Sequence, residues 1–204
     1  MIDWRKWIEK QEVIYTAPLF SEENLVVETF LRGSREVLKR NEEFDETMIN
    51  IVETGLKSKD WLGIIYIMHW NPYNQIIPLY WGKTEKKGTK KPISSNIENI
   101  RKNNDKFARW GYNLDYHIGG LSHAIFGGKG YKKIEPRYQD WASMLFSELN
   151  PPILKEKVYV TLISWYNGMR GPSGHPETVP AVEKHLIAFA GAEYPNVLLN
   201  KDGR

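Results

Sequence analysis

Cysteine is absent from the 204 residues. That excludes disulfides and thiolate metal centres, so any metal must rest on carboxylate, imidazole or carbonyl oxygen, and hard divalent ions become the default. Long hydrophobic runs are missing too: none reaches the roughly 18 apolar residues that a membrane-spanning helix needs. The N-terminus, MIDWRKWIEK, carries charges where a signal peptide needs an apolar core. A cytoplasmic protein with no membrane attachment is expected. Charge is missing locally, since residues 61 to 82 hold no Asp, Glu, Lys or Arg. The five histidines, at 69, 117, 123, 175 and 185, show no tight metal-ligand spacing, and none is assigned as a ligand.

What is present is enough for a real core. With 41% hydrophobic and 26% charged residues the chain has no case for general disorder, and its eight tryptophans are more than a typical chain of this size carries. The net charge of +3 hides an uneven distribution. Residues 1 to 60 hold nine basic and thirteen acidic side chains, whereas residues 83 to 109 hold nine basic and three acidic. A solvated lysine-rich loop and a surface for a polyanionic partner both account for that second segment.

The uncharged stretch sits in WLGIIYIMHWNPYNQIIPLYWGKT, Trp61 to Thr84, which reads as one β-hairpin. The first arm, Gly63 to Met68, is continuously apolar and β-branched, which suits a strand buried on both faces. The second runs from Ile76 to Trp81. Between them Asn71-Pro72-Tyr73-Asn74 supplies a fixed φ and tolerance of the left-handed region, so the chain should reverse. Tyr66 and Tyr80 then stand on neighbouring strands, and Gly82-Lys83 brings an ammonium beside them.

Elsewhere the periodicity predicts helices. Trp4, Trp7 and Ile8 follow helical spacing. Ser21 with Glu22 and Glu23 resembles a helix start, continuing from Leu25 to Lys39 with a break near Gly33-Ser34. A further helix carries Met48, Ile51, Val52 and Leu56, so residues 1 to 60 read as a helical, acidic N-terminal extension. After the hairpin come a mobile EKKGTKKPIS loop, a helix over Tyr116 to Ile125 and another opened by Pro136. Val158 to Trp165 reads as a third strand. A final helix, capped at Thr178, carries Glu183, Leu186, Ile187 and Ala190.

This order of parts, GIIYI, LYWGKT, basic residues, a third strand, then a helix with Glu183 and a late Asn200, resembles the GIY-YIG nuclease superfamily across residues 61 to 204. The resemblance implies an α+β fold with a small three-stranded antiparallel sheet flanked by helices, and insertions around 85–107 and 130–150. In the first motif, an ungapped overlay puts Ile65 at the tyrosine position, and a shift by one puts Tyr66 there. Because strand side chains alternate, the two registers send Tyr66 to opposite faces. In the second motif Trp81 replaces an aliphatic residue. Both Arg101 and Arg109 follow the hairpin, and the setting of Arg109 between Phe107 and Trp110 favours it.

The resemblance implies a metal-dependent DNA endonuclease, and phosphodiester hydrolysis explains the residue types. The reaction needs an activated water, neutralisation of charge on the phosphoryl oxygens and help for the leaving oxygen. Tyr66 would be the base, its phenolate favoured by Lys83, with Tyr80 orienting water or phosphate and His117 relaying a proton. Arg109 would grip the phosphate with its planar fork. Glu183 would hold Mg2+ or Mn2+, which needs only one or two protein carboxylates. Lys86, Lys87, Lys90, Lys91, Arg101, Lys106 and Asn200 would contact double-stranded DNA, and a homo-oligomer is compatible with this. The alternative is a catalytically inactive nucleic-acid-binding protein of the same fold. Taken singly each residue has an ordinary reading: strand tyrosines pack, helix glutamates face solvent, and arginines stack on aromatics.

Overall fold

The computed structural model describes residues 3–127 and 133–201. The first residues of the insertion expected at 130–150, and residues 202–204 of the polar tail, lie outside them. Asp3 accepts from the amides of Arg5 and Lys6 and so starts a short helix, α1 (Trp4–Glu9), which buries Trp4 and Ile8 one turn apart. The helical N-terminal extension expected up to residue 60 then gives way to strands. They are β1 (Ile14–Pro18), β2 (Glu22–Glu23), β3 (Val26–Val27), β4 (Thr29–Arg32) and β5 (Arg35–Leu38), and they precede α2 (Glu42–Lys57).

The helix expected from Leu25 to Lys39 is thus corrected. Asn24 (φ 50°) and Leu25 (φ 69°) reverse the chain after β2, and Gly33 (φ 63°) turns it after β4. Gly33-Ser34 is not a helix break but the two-residue turn of a hairpin in which Arg32 pairs with Arg35. Glycine takes positive φ without a steric cost, and two-residue loops of this composition match the twist of the flanking strands. In α2 the Asn41 side chain accepts from the Glu43 amide, Glu42, Glu43 and Asp45 occupy the first turn, and Phe44, Met48, Ile51 and Val52 are buried.

The apolar hairpin forms as its sequence predicts. Its arms are β6 (Trp61–Trp70) and β7 (Ile77–Glu85), with Tyr73 (φ 51°) and Asn74 (φ 60°) reversing the chain. There follow α3 (His117–Phe126), α4 (Pro136–Leu145), β8 (Phe146–Leu149), β9 (Pro152–Leu154), β10 (Tyr159–Tyr166) and α5 (Val179–Glu193). The main sheet is antiparallel with the order β1-β10-β6-β7, and a smaller one runs β2-β3-β9-β8. The three-stranded sheet expected from sequence therefore has a fourth strand. It is β1, short and ending at Pro18, and proline is tolerated there because β1 is an edge strand.

Alternation along the strands builds two apolar layers. Ile64, Tyr66, Met68, Val160 and Leu162 pack with Phe44, Met48 and Val52 of α2 and with Ile118, Leu121, Tyr138 and Trp141 of α3 and α4. Ile65, Ile67, Trp81, Ile163 and Trp165 pack with Trp4 and Ile8 of α1 and with Val182, Leu186 and Ala190 of α5. Central β6 is covered on both faces, which is why its sequence is an unbroken apolar run. A register shift between Met68 and His69 leaves Leu79 unmatched in β7, so Leu79 and Tyr80 both join the first layer. The chain end closes part of the open β7 edge: the Leu199 amide donates to the Leu79 carbonyl at 2.7 Å.

Candidate active site

A cleft of ≈ 380 Å³ opens at the β7 edge, where the two layers meet, and Tyr80, His117, Arg137, Trp141, Glu183 and Lys184 line it. Four elements contribute: β7, α3, α4 and α5. Their side chains converge because β7 is the last strand of the sheet, so groups from either layer can reach past it.

Behind the cleft lies Tyr66. It stands opposite Gly82 in the ladder, and a Cβ at position 82 would sit 2.5 Å from the Tyr66 ring. The glycine that follows Tyr80-Trp81 is therefore the seat of the Tyr66 phenol. The Tyr66 hydroxyl lies 3.2 Å from His117 Nε2, and His117 Nδ1 lies 3.3 Å from the Tyr138 hydroxyl. Trp110 closes over this pair, its ring centroid 5.3 Å from that of Tyr66 and 4.8 Å from that of His117. Burial holds His117 well below the ordinary imidazole pKa, and Arg109 and Arg137 push the same way. A neutral imidazole has one N–H and one lone pair, so it donates to one phenol and accepts from the other. Burial likewise pushes Tyr66 well up, with Arg109 as the opposing cation. The Tyr80 phenol is raised too, by burial and then Glu183, against Arg137 and Arg109.

The expected pairing of Lys83 with the phenols is corrected. Lys83 stands opposite Ile65, and alternation turns it to the α5 side of the sheet, while its neighbours Gly82 and Thr84 face Tyr66 and the Ala108 carbonyl. Its ammonium is 2.5 Å from Glu85. The carboxylate it acts on is Glu183, whose pKa is pushed up to about 7 by burial, with Lys83 opposing, Glu85 adding and Lys184 opposing.

Of the two arginines expected from sequence, Arg109 stands near the phenols and Arg101 does not. Arg109 takes φ 81° at the end of a tight turn, with its guanidinium 5.2 Å from the centre of the Tyr116 ring. Arg101 is held by Glu53 of α2 through two contacts of 2.8 and 3.0 Å. The arginine that lines the cleft is Arg137, in a helix that sequence reading assigned to an insertion. Arg137 and Trp141 are four residues apart and so share a face of α4, the one signal that was available. Tyr138, which completes the chain through His117, was missed for the same reason.

The residues expected to contact nucleic acid divide. Lys86 and Lys87 line a second cleft, Lys90 is exposed and Lys106 half-buried, and Lys91 pairs with Glu98 at 3.2 Å. Asn200 is structural: its side chain accepts from the Trp81 amide at 2.9 Å and donates to the Trp81 carbonyl at 2.8 Å, mimicking a further strand.

Among the described residues no three His, Asp or Glu side chains group as a metal cluster. The donors at the cleft nonetheless fit a hard ion that keeps most of its waters. Glu183 is a half-buried carboxylate whose charge is poorly compensated, the setting in which a divalent cation is favoured. No helix among the described residues is long and apolar enough to cross a membrane. Comparison with known proteins gives no matching family model, no matching curated protein and no matching solved structure.

Proposed function

We propose that the protein is a Mg2+- or Mn2+-dependent endonuclease that hydrolyses phosphodiester bonds of DNA, built on a GIY-YIG-type scaffold. The observation that carries this reading is the convergence of a phenol, an imidazole, a guanidinium and a half-buried carboxylate on one cleft from β7, α3, α4 and α5. The order β10-β6-β7, with the glutamate helix following β10, supports the scaffold.

In hydrolysis, water adds to phosphorus, one ester P–O bond breaks, and the proton lost by the attacking water passes through solvent in the open cleft to the departing oxygen. The fork of Arg137 suits the phosphoryl oxygens, whose negative charge grows in the transition state. Tyr80, rather than buried Tyr66, is the phenol that meets the attacking water. His117 and Tyr66 stand behind it and hold its ring in one geometry. Glu183 would hold the metal, which when bound polarises the phosphate and stabilises the leaving oxygen.

A second reading has its own observation. Tyr66 is 2% exposed and, among the described residues, its hydroxyl bonds only inward to His117, which favours a nucleic-acid-binding protein that has kept the scaffold without catalysis. Duplex DNA incubated with Mg2+, at protein concentrations that shift it in a gel, separates the two. The nuclease reading expects cut products; a shifted but intact duplex overturns it in favour of the second.

A further inference from the structure

The second cleft, also ≈ 380 Å³, lies at the other end of the same α5 surface. Val179 and Pro180 line it, whereas Glu183, Lys184 and Ile187 line the first. Positions 179, 180, 183, 184 and 187 form one stripe of α5, so both clefts open on the same side of that helix. On β7, Tyr80 of the first cleft and Glu85 of the second are five residues apart, roughly 17 Å along an extended strand. Successive phosphates of one nucleic-acid strand advance about 3.4 Å along its axis. The two clefts are thus separated by about five nucleotides.

The charges around the second cleft point the same way. Lys59, Lys86 and Lys87 converge on it from the end of α2 and the exit of β7. Lys86 is fixed, donating to the Ser58 carbonyl at 2.8 Å. Lys59 and Lys87 make no ion pair with any described residue, in contrast to Lys83 with Glu85, Lys91 with Glu98 and Arg101 with Glu53. Of the two acids at the cleft, Glu85 is already engaged by Lys83, which leaves Asp60 against three ammonium groups. A cleft with surplus cations and no internal partner for two of them suits an external anion.

We infer that the Lys59, Lys86 and Lys87 cleft is a second backbone-phosphate subsite, which holds a nucleic-acid strand about five nucleotides from the phosphate in the Tyr80–Glu183 cleft. The inference rests on the function proposed above and names how that site would take a polymer rather than a lone phosphodiester.

The test is the salt dependence of binding, read by fluorescence anisotropy of a labelled single-stranded 12-mer of DNA between 50 and 300 mM salt. Lys59→Ala combined with Lys87→Ala should flatten the slope of log K against log salt by about 0.7 for each phosphate that is no longer neutralised, and weaken binding several-fold at 100 mM. Lys6→Ala combined with Lys10→Ala removes the same charge beside Trp4 and Arg5, which bond Glu193 at the far end of α5. That control should leave the slope unchanged. Equal effects of the two pairs would reduce the lysines to net charge and overturn the subsite. Cleavage by the wild type with Mg2+ is scored separately. Intact DNA with a flattened slope for the first pair keeps the subsite and removes the nuclease; cleaved DNA with unchanged slopes does the reverse.

Discussion

The Tyr66 hydroxyl and His117 Nε2 stand 3.2 Å apart in a site from which water is nearly excluded. Tyr66→Phe deletes one partner and leaves a buried imidazole nitrogen unsatisfied, which should cost about 1–3 kcal/mol. Urea unfolding measures that cost, and cleavage in the same variant divides the roles. If the phenol only holds His117 in place, cleavage falls modestly; loss on the scale of a deleted catalytic group would return Tyr66 to the chemistry.

Gly82 has a sharper consequence. Its missing side chain is the space that the Tyr66 ring fills, so Gly82→Ala should destabilise the protein by about 1–3 kcal/mol through overpacking. It should also disturb the tyrosine environment in near-UV circular dichroism. An unperturbed spectrum with wild-type stability would show that the ring does not lie there.

Arg137 and Arg101 make opposite predictions. Arg137→Lys keeps a charge at the cleft but loses the planar fork, so cleavage should fall by at least tenfold while Arg101→Lys changes it little. Arg109→Lys should also change it little, since Arg109 acts on Tyr66, Tyr80 and His117 through a charge that lysine keeps. Steady-state cleavage rates rank the three, and a large loss confined to Arg101→Lys would move the site away from the cleft.

Glu183 links the site to stability. Folding raises its pKa from 4.5 to about 7, so the folded state holds the proton more tightly than the unfolded one. The stabilisation this gives is full below pH 4.5 and is lost as pH rises through 7. Glu183→Gln should therefore gain in Tm relative to the wild type between pH 4.5 and 8, and Mg2+ should raise the wild-type Tm at pH 8 but not that of the variant. The same variant should bind DNA and fail to cut it. A Tm difference that does not change with pH would contradict the buried carboxylate.

His69 makes the converse prediction on the acid side. Burial lowers its pKa from 6.5 to about 4, and its Nε2 is 2.9 Å from Thr161 Oγ1. Stability is complete above pH 6.5 and is lost as pH falls through 4, by about 3 kcal/mol from this group. His69→Gln should show a shallower acid limb in a stability profile; an identical limb would place the loss elsewhere, His117 being the other buried imidazole.

The sequence by itself determined the elements whose signal is local. The apolar hairpin, the strand after Val158 and the helices opened by Pro136 and by Thr178 with Pro180 follow from residue pattern, turn chemistry and capping, each legible within a dozen residues. The strands between Ile14 and Leu38 were not read, although Gly33-Ser34 between alternating residues carried the hairpin signal, because acidic residues after Ser21 imitate a helix start. Tyr80, His117 and Glu183 could be picked from the chain, but not their relation. Only the tertiary structure decided that Tyr66 faces α3 while Ile65 faces α5, since register sets every side chain's face and depends on long-range pairing. It also decided that Lys83 turns away from the phenols, that Asn200 closes an edge, and that Arg137 from a segment read as an insertion stands where Arg109 was expected. Those outcomes rest on contacts between segments as much as 119 residues apart, and no local pattern encodes them.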